Sequence, residues 1–162
     1  MTAFVPGLSY DTTFASAPGG SRARADVPEQ ERWNLSDIFA SWEAWQGAFD
    51  DLQARVAAYG ARKGTLGTGG PALREALRET DTMGQLAYKV WYFASLTHDE
   101  DQRDNAIGAR RQQVQLLFAE WRQATAWFNP ELLAVPLATL RQWMDEDDAL
   151  VVQPSAVASL FR

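Results

Sequence analysis

The sequence predicts an all-α fold: antiparallel helical hairpins forming a bundle of about four to six helices. Three observations carry this expectation. Apolar residues recur at steps of three and four over long windows. The two-residue alternation of a half-buried strand is nearly absent. Gly and Pro gather between the periodic windows, where turns belong. With 162 residues, 46% hydrophobic and 22% charged, the chain is long and apolar enough to bury a core without covalent staples.

Residues 1–30 hold Gly7, Pro18, Gly19, Gly20 and Pro28, and Phe4, Val5, Leu8, Tyr10 and Phe14 keep no period. This predicts a loosely ordered N-terminal arm. Residues 31–162 form the helical part. It opens on a compact turn, Arg32-Trp33-Asn34-Leu35-Ser36-Asp37-Ile38-Phe39. Ser41 then suits an N-cap, with Glu43 in the first turn where the helix dipole favours an anion. Trp45, Ala48, Phe49, Leu52, Val56 and Tyr59 fall on one helical face, and Gly60 is a fitting stop.

A glycine-rich loop follows, and Pro71 suits the first turn of a second helix. Its stripe is Leu73, Leu77, Met83, Leu86, Ala87, Val90, Trp91 and Ala94, with an end expected near Leu96 or Thr97. Gly84 either weakens this helix or admits a close neighbour. Thr97 and Glu100 match a capping box, so a third helix is expected from there to about Phe128. Ile107, Val114, Trp121 and Phe128 recur every seven residues, widened by Leu117, Phe118 and Ala124. This is expected to be the longest helix. Asn129-Pro130-Glu131 reads as cap and first turn of a short helix. Pro136 opens another through Leu137, Leu140 and Met144, ended by the solvated run Asp145 to Asp148. Leu150, Val151, Val152 and the stretch Ala156 to Phe161 form an apolar terminal segment with little sequence left to cover it.

The chemistry-bearing residues are few. The chain has one histidine, His98, and no cysteine. A His-Glu-x-x-His zinc helix needs two imidazoles one turn apart, and thiolate chemistry needs a thiol, so neither can be built here. A Ser-His-Asp arrangement around His98 and Asp99 lacks the Gly-x-Ser-x-Gly elbow, and His98 reads as an exposed residue at a helix end. Asp99, Glu100, Asp101 and Asp104 read as anions favoured in a first helical turn, without the spacing of a calcium loop. Gly67-Thr68-Gly69-Gly70 is followed by no Lys-Ser/Thr pair and reads as a loop. No catalytic, cofactor-binding or metal residue is assigned, and no cofactor is expected in this chain. Trp91, Tyr92 and Phe93 lie about 100° apart on a helix, so at least one must leave the core for a second surface.

The net charge of −6 and a basic cluster no larger than Arg110-Arg111 argue against nucleic acid. No apolar run approaches membrane-spanning length, and Met1 to Asp11 lacks the pattern of a secretory signal, so a cytoplasmic location is expected.

Three stretches resemble the N-terminal helical region of the oligoendopeptidase F family. They are Arg32 to Trp45, with its Trp-Asn-Leu-Ser-Asp-Ile-Phe motif; Gly84 to Asn105, which includes Tyr88-Lys89-Val90-Trp91-Tyr92; and Gln113 to Leu133, with Trp121, Trp127 and Phe128-Asn129-Pro130-Glu131-Leu132. The resemblance covers residues from about 32 to 148 and fades from Val151. It implies a helical lobe that walls and lids the cleft of a zinc metalloendopeptidase acting on short peptides, with zinc and its ligands in a later part of a longer chain. The chain then carries the lobe without the catalytic domain, as a truncation, a split or frameshifted reading frame or a deliberate fragment would, and is expected to be inactive alone; its partner is the catalytic lobe if that lobe is encoded separately, and short peptides are the partners of the complete enzyme. The alternative expectation is a freestanding interaction or dimerisation domain that self-associates through exposed apolar surface.

Overall fold

The computed structural model describes residues 27–151, and these contain helices and turns without a strand. The chain divides into two units, residues 1–32 and 33–162. In the first, Glu29–Glu31 make one 3-10 turn, and the Arg32 Nε donates to the Val27 carbonyl at 2.7 Å. Most of the expected arm, residues 1–26, lies outside the described residues, as do Val152 and the stretch Ala156 to Phe161.

The second unit begins with a 3-10 turn, Leu35–Asp37, in which the Asn34 side chain accepts from the Ser36 N–H. Helix α1 spans Trp42–Gly60. The Ser41 hydroxyl accepts from the Ala44 N–H, satisfying a donor that the helix cannot pair internally. Trp45, Phe49, Leu52, Val56 and Tyr59 are buried along its inner face.

After a loop with Gly64 at φ 87°, helix α2 runs from Gly70 to Glu100, with Pro71 in the first turn. Helix α3 is Asn105–Thr125, α4 is Phe128–Ala134, α5 is Leu137–Glu146 and α6 is Asp148–Val151. The long helices α1, α2 and α3 pack on one another around one core. The small helices gather at the start of α2. There Gly70 lies so close to α5 that a Cβ would sit 3.2 Å from the Trp143 Cβ.

Three expectations are corrected. First, α2 does not stop at Leu96 or Thr97 but continues to Glu100 and is, at 31 residues, the longest described helix; α3 has 21. Second, Thr97 is no N-cap: it lies inside α2 and its hydroxyl donates back to the Phe93 carbonyl at 2.6 Å. The cap of α3 is Asp104, whose carboxylate accepts from the N–H groups of Ala106 and Ile107. A charged acceptor holding two orphan donors outcompetes a hydroxyl already satisfied by its own helix. Third, Asn129 does not cap α4. The helix starts at Phe128 after Trp127, with no side-chain cap.

Aromatics bind the bundle together. Phe39 and Trp42 meet Phe93 edge-on, with ring centres 5.6 and 4.9 Å apart, and Trp45 stacks on Phe49 at 5.4 Å. The Arg110 guanidinium caps this cluster 4.2 Å above the Trp42 ring. On the α2–α3 seam, Trp91 meets Phe118 and Phe118 meets Trp121. Gly84 faces that seam, and a Cβ there would stand 4.0 Å from Trp121.

Candidate functional site

The residues singled out by their chemistry do not converge. His98 lies in the last turn of α2, not the first turn of α3, and is half-buried rather than exposed. Its Nδ1 stands 3.1 Å from the Arg111 Nη1 and 3.8 Å from the Asp99 Oδ1. A guanidinium only donates, so in the Arg111 contact the imidazole nitrogen can serve only as acceptor. A cation already facing the one imidazole does not suit zinc ligation. Among the described residues, no three His, Cys, Asp or Glu side chains come together as a metal-holding group.

The acidic run is divided by the turn between α2 and α3. Asp99 and Glu100 belong to the end of α2, Asp104 caps α3, and Asp101 shapes the connection. The Asp101 carboxylate accepts from the Arg103 side chain and main chain, which holds it below the usual carboxylate range. At the other end of the bundle, Asp147 pairs with Arg74 at 2.6 Å and ties the end of α5 to α2. Both sets have structural partners and none has the geometry of an acid–base pair.

The loop at Gly67-Thr68-Gly69-Gly70 forms a 3-10 turn, Leu66–Thr68, and then the start of α2, with Gly69 at φ 151°. Trp91, Tyr92 and Phe93 separate as their 100° steps require. Phe93 is buried, Trp91 is half-buried against Phe118, and Tyr92 faces outward, stacked at 5.7 Å on the exposed Tyr88.

A groove of about 830 Å³ lies between α1 and the α3–α4 corner. Val56, Ala57 and Gly60 form one wall, Ala124 and Trp127 the other, and Lys63, Glu120 and Glu131 place charges at its edge. Sequence reasoning missed this groove. Glu131 was read only as part of a helix start, yet its carboxylate accepts from the Gly64 N–H, 67 positions away. Nothing local signals such a pair. The groove offers amide, carboxylate and ammonium groups with apolar walls, but neither an imidazole nor a thiol. It can hold a ligand or a neighbouring element; it has no nucleophile–base pair.

The fold and this groove define a class: a helical module whose described residues assemble no catalytic constellation. Comparison with known proteins adds its relatives. The chain is similar to the oligopeptidase PepF of Bacillus subtilis (strain 168), with 26% identity over 139 residues, 86% of this chain and 21% of that protein. It is similar to the plasmid-encoded oligoendopeptidase F of Lactococcus lactis subsp. cremoris, with 19% identity over 127 residues, covering 78% of this chain and 21% of the relative. The group B oligopeptidase PepB of Streptococcus agalactiae matches at 23% over 110 residues, 68% of this chain and 18% of its own length. The chain thus spans about a fifth of the length of the curated relatives it matches. No family model matches it, and no solved structure matches it significantly. Among the described residues, no helix is long and apolar enough to cross a membrane.

Proposed function

We propose that this chain is the non-catalytic helical lobe of an oligoendopeptidase F-type zinc metalloendopeptidase, which helps enclose a cleft that admits short peptides. One observation carries the reading: several oligopeptidases match most of this chain, while the match takes up only about a fifth of each. A solitary imidazole held against Arg111 agrees with a lobe that supplies walls rather than zinc ligands. In the complete enzyme, zinc would polarise the peptide carbonyl and activate water, held by residues outside this chain. The rigid bundle contributes shape: a wall of packed helices restricts access to unfolded, narrow substrates. The cytoplasm, where short peptides are recycled, is the compartment this reading favours.

Two measurements on the purified chain test it. Metal analysis after dialysis should find no stoichiometric zinc, and a quenched-fluorescent peptide library should remain uncut with or without added zinc. Metal-dependent turnover by the isolated chain would falsify the proposal. Reading the genomic DNA around the coding region gives an independent check: a neighbouring frame encoding a His-Glu-x-x-His helix is expected, and its absence from the whole locus counts against the reading.

A further inference from the structure

Another concavity, of about 340 Å³, lies where α2 meets the α3–α4 corner. Thr80 and Asp81 line it from α2, Trp121 and Thr125 from α3, and Phe128 from α4. The fully buried Tyr59 of α1 completes the polar part of the lining on that side.

The hydroxyl protons of this pocket are already used inside the protein. The Thr125 hydroxyl donates to the Trp121 carbonyl at 2.9 Å, and the Tyr59 hydroxyl to the Ala76 carbonyl at 3.3 Å. The Thr80 proton is shared between the Ala76 carbonyl at 3.0 Å and the Tyr59 oxygen at 2.9 Å. A hydroxyl that donates still keeps lone pairs, so Thr80 and Thr125 can meet a ligand only as acceptors. The Asp81 carboxylate, on the exposed side, also only accepts. The exposed Asn129 carboxamide can add an oxygen at the rim. Among the described residues no Lys or Arg lines the pocket. What the lining offers is therefore one negative charge, several hydroxyl lone pairs and two aromatic rings.

We propose that this pocket binds a primary ammonium carried on a short apolar stem. An ammonium has three N–H donors and no acceptor, the complement of Thr80, Thr125 and Asp81. Its charge is opposite to that of Asp81, and aromatic faces such as those of Trp121 and Phe128 attract a cation. The stem finds apolar surface on Phe128 and on the buried Leu77. Other ligand classes fit less well. A phosphate or carboxylate would meet Asp81 and no cation. A calcium or magnesium ion takes six or more oxygen ligands and favours several carboxylates, whereas Asp81 is the only one in the lining. A free alkylamine and the lysine side chain of a peptide share the proposed chemistry. The inference does not rest on the peptidase reading, since an interaction module with this fold would carry the same pocket.

Heteronuclear NMR titration of the purified chain with n-butylammonium chloride at neutral pH tests it. Saturable shifts are expected at the main-chain N–H groups of Thr80, Asp81 and Thr125 and at the Trp121 indole. n-Butanol, of similar shape but uncharged, should bind at least about fivefold more weakly. Asp81→Asn should weaken butylammonium binding at least about fivefold, and Thr125→Val, which keeps the shape but removes the oxygen, at least about twofold. Circular dichroism and thermal midpoints check that both variants fold; Asp81 is exposed, so its substitution leaves the core intact. A capped tripeptide with a central lysine, set against its norleucine counterpart, separates the sources. Binding of the lysine peptide alone of the two supports a peptide side chain, and binding of butylammonium with neither peptide supports a free amine. No saturable shift with butylammonium or the lysine peptide, equal binding of butanol, or affinity unchanged in a folded Asp81→Asn variant would each overturn the proposal.

Discussion

The Trp45 indole N–H donates to the Val90 main-chain carbonyl across 2.9 Å, and both residues are fully buried. The bond joins α1 to α2 across 45 positions and orients the ring that stacks on Phe49. Trp45→Phe keeps an aromatic but loses the donor and leaves space behind. We expect a loss of about 2 kcal/mol, part from the unmade bond and part from the cavity. Urea denaturation followed by far-ultraviolet circular dichroism measures it. A change indistinguishable from zero would mean that the indole does not hold this contact in solution.

Two glycines respond in opposite directions to the same substitution. A Cβ at Gly70 would meet the Trp143 Cβ at 3.2 Å and Cγ at 3.3 Å, so Gly70→Ala pushes α5 away from the start of α2. Overpacking of this kind costs about 1–3 kcal/mol and outweighs the helix-propensity gain, which is at most about 1 kcal/mol. Gly47, in the middle of α1, has nothing within 4 Å of its added methyl, so Gly47→Ala should stabilise by about 0.5–1 kcal/mol. The thermal midpoints of the two variants should move to opposite sides of the parent's.

Burial pushes the Tyr59 phenol above the ordinary tyrosine value, with the Thr80 hydroxyl bond opposing. The neutral, protonated phenol is therefore the form the fold prefers. Its contribution to stability is fully present below the unfolded value of about 10 and is lost as pH rises through the raised folded value. The parent chain should lose stability steeply above pH 10 or so. Tyr59→Phe should be less stable near neutrality by about 1 kcal/mol, since the contact to the Ala76 carbonyl goes with the hydroxyl. Its deficit should shrink in strong alkali. Paired denaturation curves on both sides of that pH decide the matter: a constant gap would mean that Tyr59 does not titrate with unfolding.

Asp104 and Thr97 test which residue starts α3. Asp104→Ala strands the N–H groups of Ala106 and Ile107 and should cost about 1 kcal/mol. Thr97→Ala removes only a hydroxyl bonded to its own helix, and should change stability by less than about 0.5 kcal/mol. The reverse ranking, read from urea midpoints, would restore the capping box at Thr97.

Much of the fold was legible because it rests on periodicity. The α1 stripe from Trp45 to Tyr59 lies in the core almost as its spacing required, with Ala48 only partly buried. The start of α2 at Gly70–Pro71 and of α5 after Pro136 followed from proline's fixed φ and missing donor. The error at Thr97 came from a motif that ranks caps locally, whereas a hydroxyl's partner depends on whether the preceding helix continues. The groove between α1 and α4 was not legible at all, because the bond from Gly64 to Glu131 and the packing of Tyr59 on Trp127 join segments far apart in the chain.

The sequence by itself determined the all-α architecture, the inner faces of the three long helices and the shortage of zinc ligands, because side-chain period and residue counts are local properties of a chain. Only the tertiary structure decided that α2 outlasts α3, that His98 faces Arg111, and that Glu131 reaches the Gly64 N–H beside a groove against α1. Those outcomes depend on which surfaces meet once the helices pack, and the free energy of packing belongs to pairs of distant residues rather than to any one stretch.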